Sequence, residues 1–377
     1  MLYWLFYEKL FRLYTPFREF GYVTFRTASA SLTALFLCVA LGPWLINKLR
    51  EFQIGQYIRE DGPQSHMKKA GTPTMGGILI IISVVVPTLL WANLRNPYVW
   101  IALFGMCSFG LIGFWDDYAK IRRKHNQGLS VREKFGFQVV AALVVGFILL
   151  SLHANKLYST SINMPFIKSF KPDLLIEPLV HNWYTYPLAF AGFYAFMVLV
   201  IVGASDAVNL TDGLDGLAIG LMIIAAGAMT ILTYVTGHAR FAEYLDLARL
   251  PGAGELTIFC GSMVGASIGF LWYNAHPAEI FMGDVGSLAL GGALGVVAVL
   301  IKQEILLLFI GGVYVIEALS VILQVSSYKL RKKRIFKMAP IHHHFEALGW
   351  PESKIITRFW IAGLVMALFA LTTLKLR

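Results

Sequence analysis

The sequence predicts an all-α integral membrane protein with about ten transmembrane helices, and two observations predict it. Of the 377 residues, 57% are hydrophobic and 14% charged, where soluble domains carry about 25% charged residues. A mean hydropathy of +0.64 leaves too little polar surface to coat a soluble globule of this length. The apolar residues also gather into runs close to the ~20 residues that cross a bilayer. A soluble enzyme, a disulfide-rich secreted domain and a disordered chain are thereby excluded.

In chain order, residues 1–20 set Lys9, Arg12 and Arg18 among Tyr, Phe, Leu and Trp, with Pro16 inside. That pattern predicts an interfacial amphipathic helix rather than a cleaved leader. Spans follow at roughly 22–46, 75–92, 98–115, 134–152, 186–205, 216–236, 256–273, 285–301, 304–328 and 355–374. The ninth is the least typical, because Glu317, Gln324 and Ser326–Ser327 lie in it, and an acid within a span faces protein or water rather than lipid. Residues 153–185, with Pro165, Pro172 and Pro178, form a loop segment between spans. No soluble domain and no internal repeat interrupts 1–377, which therefore counts as one membrane domain. Cys38, Cys107 and Cys260 each lie in an apolar run and are small buried hydrophobes, not a disulfide framework.

An even number of spans puts both termini on one side. The connections 47–74, 116–133, 206–215, 274–284 and 329–354 then share the other side, which carries the clustered bases Lys120, Arg122, Arg123 and Lys124, and Lys329 to Arg334. The positive-inside rule makes that face cytoplasmic, with both termini and 153–185 external. The net charge of +10 belongs to these lipid-facing loops and not to nucleic-acid binding.

The chemistry gathers on the same face. Asp116 and Asp117 end the third span; Asp206, Asp212 and Asp215 follow the fifth; Asp284 opens the eighth. The 206–215 and 274–284 connections hold no Lys or Arg to pair with their acids, and carboxylates crowded at a membrane surface repel one another unless a cation sits among them. Oxygen ligands in that number favour Mg²⁺ or Mn²⁺ over zinc. Asp116 and Asp117 point about 100° apart on a helix, which suits two different tasks. Asn209-Leu-Thr-Asp212-Gly-Leu-Asp215-Gly216 and Phe281-Met-Gly-Asp284-Val-Gly-Ser287 set acids between glycines that permit close backbone approach, beside a helix start whose free N–H groups suit a phosphate. Lys68, Lys69, Lys120, Arg122, Arg123, Lys134 and the His342-His343-His344 run supply the basic groups that a substrate with several phosphates needs. Consecutive histidines reach one ion poorly, so a phosphate contact or proton handling suits them better than zinc.

These motifs, taken with Lys-Lys-Ala-Gly-Thr-Pro-Thr-Met-Gly-Gly at 68–77 and Met-Ala-Pro-Ile-His-His-His-Phe-Glu at 338–346, resemble the phospho-N-acetylmuramoyl-pentapeptide transferase family, the bacterial lipid I synthases. The resemblance spans nearly the whole chain, in order. It implies Mg²⁺-dependent transfer of phospho-MurNAc-pentapeptide from UDP-MurNAc-pentapeptide to undecaprenyl phosphate, giving lipid I and UMP for peptidoglycan synthesis. It further implies a homodimer in the bacterial inner membrane, with a cytoplasmic-facing active-site cleft open to nucleoside antibiotics. On this basis Asp284 is expected as the principal Mg²⁺ ligand, with Asp117 helping to hold metal or lipid phosphate. Asp116 is the candidate base, or alternatively a nucleophile forming a phospho-enzyme. Lys69, Thr74, Asn209, Asp212, Asp215 and Phe281 are expected at the uridine end, with Asn274 in the same substrate-binding set. Lys120, Lys134, Gln324, His342, His343 and His344 are expected on phosphate or sugar, His343 counting as catalytic. Two alternatives remain at this level: a sister transferase using UDP-GlcNAc, against which the histidine run argues, and a transporter, which would carry its charges near the bilayer midplane.

Overall fold

Lipid offers the backbone no hydrogen-bond partners, so each apolar run must pair its own N–H and C=O groups as a helix. The computed structural model describes residues 1–51, 71–123, 128–165, 167, 170–176, 179, 185–245, 247 and 249–374. Among these the chain is helical with no sheet; one isolated bridge joins Ser161 to Asp173. The spans are α1 (Val23–Glu51), α2 (Gly77–Trp91), α3 (Pro97–Arg123), α4 (Val131–Ala154), α5 (Tyr186–Thr211), α6 (Leu217–Gly237), α7 (Ala253–Asn274), α8 (Gly283–Leu300), the pair α9 (Glu304–Ile310) and α10 (Gly312–Arg331), then, after the short α11 (Ile341–Ala347), α12 (Glu352–Thr372). Among the described residues nine of these helices are long and apolar enough to cross a membrane; α2 has 15 residues, about 22 Å at 1.5 Å per residue.

The centre of the bundle is α8, which is buried over most of its length. Its small residues let neighbouring backbones close in: a β-carbon on Gly292 would meet the Phe109 ring of α3 at 2.6 Å, and one on Gly291 would meet the Ala204 carbonyl of α5 at 2.6 Å. The end of the bundle away from the acid-rich loops is tied by buried polar groups. Arg26 pairs with Glu255 at 2.7 Å, Glu255 also accepts the Asn93 N–H at 2.8 Å, and Lys302 pairs with Glu304 at 2.9 Å. At the other end Ser130 and Glu133 form a capping box that starts α4, one residue before Lys134.

Two elements differ from expectation. The predicted 304–328 span is two helices that meet at Gly311, because adjacent glycines at 311–312 remove the side-chain restraint that keeps a helix continuous. Residues 1–20 are not one helix: Tyr3–Leu10 is a π-helix and Thr15–Gly21 a 3-10 helix with Pro16 in its first turn, and an extended Tyr14 separates them.

Candidate active site

The acids converge where α3 ends and α8 begins. Gly113 of α3 sits directly against the Asp284 backbone carbonyl, with no room for a β-carbon. Gly283 holds φ +71, and a β-carbon there would lie 2.6 Å from Asp117 Oδ2 and 2.9 Å from Thr74 Oγ1. Two glycines thus bring the Asp116–Asp117 pair and Asp284 together; one ligand oxygen from each of the three lies within 4.8 Å of the others. The 73–77 segment is stitched to the same place, since Phe281 N–H donates to Pro73 O at 2.8 Å and Gly76 N–H to Phe281 O at 2.9 Å.

The carboxylates do not stand bare, as the loop sequences suggested. Lys120, one turn beyond the pair, lies 2.6 Å from Asp116, 3.1 Å from Asp117 and 2.9 Å from Asp284. Lys134 lies 2.8 Å from Asp284. The neutralising groups come from the last turn of α3 and the first turn of α4, leaving three carboxylates against two ammonium groups. The two adjacent aspartates do have different surroundings: Asp116 Oδ1 accepts the Leu129 N–H at 2.9 Å, and Asp117 Oδ2 accepts the Val285 N–H at 3.3 Å. Asn209 donates to Asp284 Oδ1 and to Ser287 Oγ, both at 2.8 Å. Asp212 caps the end of α5, where burial, with Asp284 and Asp117 adding to it, pushes its carboxyl up to about 8.

A second cluster adjoins the 209–216 loop. Asp215 Oδ2 accepts the Ala278 N–H and lies against His276 Nδ1, both at 3.2 Å, while the Asp215 N–H donates to Glu352 at 3.1 Å. Asn274 is buried and spends its amide on structure, accepting the Gly216 N–H at 3.1 Å and donating to Ile280 O at 2.8 Å. Phe281 and Thr74 are half-buried. In the third group Gln324 holds the backbone of Ile335 and Phe336 at 2.9–3.0 Å. His343 Nδ1 lies 2.6 Å from Glu346, and His344 Nδ1 accepts the Lys337 N–H at 3.1 Å. His342 is fully buried, unlike the contact residue expected from the sequence. Lys69 lies outside the described residues.

Ser287, His276 and Glu352 were missed. Ser287 sits in the quoted Phe281–Ser287 motif and so had a signal. His276 and Glu352 are single polar residues at helix ends, and only the fold brings them to Asp215.

An apolar groove of about 550 Å³ between α4 and α5 reaches from Leu143 and Tyr194 to Asp206. Asp206 there accepts from Gln138 at 2.8 Å, one helical turn beyond Lys134.

The bundle of membrane helices carries its acid–lysine cluster at one end, and residues 99–302 match the model of glycosyl transferase family 4, which makes the chain a membrane-embedded transferase. Residues 69–81 match phospho-N-acetylmuramoyl-pentapeptide-transferase signature 1. Curated proteins called phospho-N-acetylmuramoyl-pentapeptide-transferase from Solibacter usitatus, Koribacter versatilis and Acidobacterium capsulatum are 70%, 66% and 65% identical, each over 100% of both chains. The chain belongs to the phospho-N-acetylmuramoyl-pentapeptide-transferase family.

Proposed function

We propose that the chain moves phospho-MurNAc-pentapeptide from UDP-MurNAc-pentapeptide onto undecaprenyl phosphate, yielding lipid I and UMP at the cytoplasmic face of the bacterial inner membrane. The observation that carries this is the Asp116–Asp117–Asp284 cluster with Lys120 and Lys134 in its midst, at the membrane-surface end of the bundle, where a water-soluble nucleotide sugar and a lipid-bound phosphate can both arrive.

An oxygen of the lipid phosphate attacks the β-phosphorus of the nucleotide sugar; the bond to the UMP phosphate breaks, and UMP leaves. Bringing two anions together makes charge compensation the main catalytic requirement. Lys120 and Lys134, held over the carboxylates, supply it by turning to the phosphate oxygens. Asp116 takes the remaining proton of the lipid phosphate, whose second pKa lies near about 6. Three hard oxygen donors with ligand atoms within 4.8 Å of one another fit Mg²⁺, with Asp284 and Asp117 as its holders. When bound, the ion neutralises diphosphate charge. Asp212, Asp215 and Phe281 line the uridine end, and the Leu143–Asp206 groove fits the isoprenoid chain beside Lys134.

Purified protein given undecaprenyl phosphate and either UDP-MurNAc-pentapeptide or UDP-GlcNAc tests the activity. UMP release with the pentapeptide substrate alone is expected. Release with UDP-GlcNAc alone would move the protein to the sister specificity, and uptake of either sugar into vesicles without UMP release would favour a transporter.

A further inference from the structure

Glu317 is the acid that the sequence sets inside a span, and none of the proposed chemistry uses it. In the fold it is fully buried, and its Oε2 lies 3.1 Å from Nδ1 of the equally buried His342. Among the described residues neither carboxylate oxygen and neither ring nitrogen has a hydrogen-bond partner, so the 3.1 Å contact makes each group the other's polar neighbour. A carboxylate sealed inside a bundle is retained only where a partner compensates it. The far edge of the imidazole closes on Gly213, where a β-carbon would overlap Nε2 and lie 3.0 Å from Cε1. Gly213 sits between Asp212 and Asp215. One turn before Glu317, Tyr314 donates its hydroxyl to Ala218 O at 2.7 Å, so α10 also grips the first turn of α6, directly after the same loop.

We propose that Glu317 is a positioning residue: through the His342 ring it sets the 209–216 loop in the shape that receives the nucleotide end of the sugar substrate. This rests on the transferase activity proposed for the chain. His342, sealed off from any open face, acts on the substrate only through the loop. Its loss therefore weakens binding rather than the reacting-phosphate step.

The test is steady-state kinetics with UDP-MurNAc-pentapeptide at saturating undecaprenyl phosphate, with UMP binding by calorimetry and thermal unfolding as a fold control. Glu317→Ala and His342→Ala are each expected to raise KM about 10-fold or more, the scale of leaving a buried polar group without its polar neighbour, with kcat kept within about 3-fold. The double variant should be no worse than either single one, because both act along one line of contact. Glu317→Gln, which keeps a polar oxygen of the same reach beside Nδ1, should restore KM. Gly213→Ala pushes on the ring from the loop side and should raise KM too; it serves where a Glu317 variant gives no folded transition. Unchanged KM in folded variants, additive losses, or a fall in kcat at constant KM would each overturn the proposal. Wild-type protein that neither binds UMP nor turns over the nucleotide sugar would instead bring down the transferase activity, and this proposal with it, whereas active wild type with unmoved variants removes this proposal alone.

Discussion

Asp284 meets two lysines and an asparagine with its two oxygens, at 2.8–2.9 Å, so it is both the charge that holds Lys120 and Lys134 in place and the proposed metal ligand. Asp284→Asn keeps the size of the side chain while removing its charge and one hard ligand. A fall in turnover of at least about 100-fold is expected, the scale of one key electrostatic group, together with a weaker response to Mg²⁺. A Mg²⁺ titration of both proteins, with thermal unfolding alongside, checks this; near-normal activity at the same midpoint would move the metal to Asp116 and Asp117. Phe281 makes the opposite case, because its structural work is done by its backbone, which pairs with Pro73 and Gly76. Truncating its ring leaves that pairing intact, so Phe281→Ala should cost uridine-nucleotide affinity about 1–3 kcal/mol, as for a base stacked on an aromatic ring, with little change in melting temperature. Equal affinity for UMP in the two proteins would make the ring a packing group.

At the scale of elements, the site depends on how closely α3 approaches the start of α8. Gly113 lies against the Asp284 carbonyl and the Val285 backbone nitrogen, which is 2.6 Å from where a β-carbon would be. Gly113→Ala must force the two backbones apart, and overpacking of this kind costs about 1–3 kcal/mol. A lower melting temperature and a turnover loss out of proportion to it are expected, since the displaced group carries Asp284. Retention of wild-type turnover and stability would mean that the contact is slack. The same contact marks what the sequence could reveal. The apolar runs were legible because lipid enforces a helix on each of them, and the aspartates because their glycine-flanked motifs lie at helix ends. Lys120 and Lys134 were legible as basic residues near the site, but not as partners of Asp284, because that pairing joins α3, α4 and α8 across 150 or more positions, whereas Lys120 reaches Asp116 and Asp117 within one turn of α3. The break at Gly311 was masked by unbroken hydropathy through 304–328, to which two glycines contribute little. His342 looked like a ligand because histidine runs carry chemistry; its burial is set by Glu317 and Gly213, distant in sequence from it and from each other.

For the whole molecule, the ends of α3, α5, α7 and α10 and the starts of α2, α4, α6, α8 and α12 lie at one end of the bundle, as the contacts around Asp284 and Asp215 require. The exposed bases Arg331 to Arg334 end and follow α10 at this end. At the opposite end Tyr158 donates to Val299 O at 3.2 Å, and Phe309 of α9 meets Phe369 near the end of α12 at 5.8 Å. Basic loops stay in the cytoplasm because moving them across the bilayer during insertion is costly, so the acid–lysine cluster is expected to face the cytoplasm, where nucleotide sugars are made. Arg334→Cys and Ser159→Cys, both at exposed positions, separate the two ends. The native Cys38 and Cys260 are buried, and Cys107 lies half-buried within α3, which keeps background labelling low. In intact cells a membrane-impermeant thiol reagent should label the Ser159→Cys protein and spare Arg334→Cys, and opening the cells should expose both. The reverse pattern would put the cluster outside, away from any nucleotide sugar, and the proposed transfer could not take place there whatever the geometry of the aspartates.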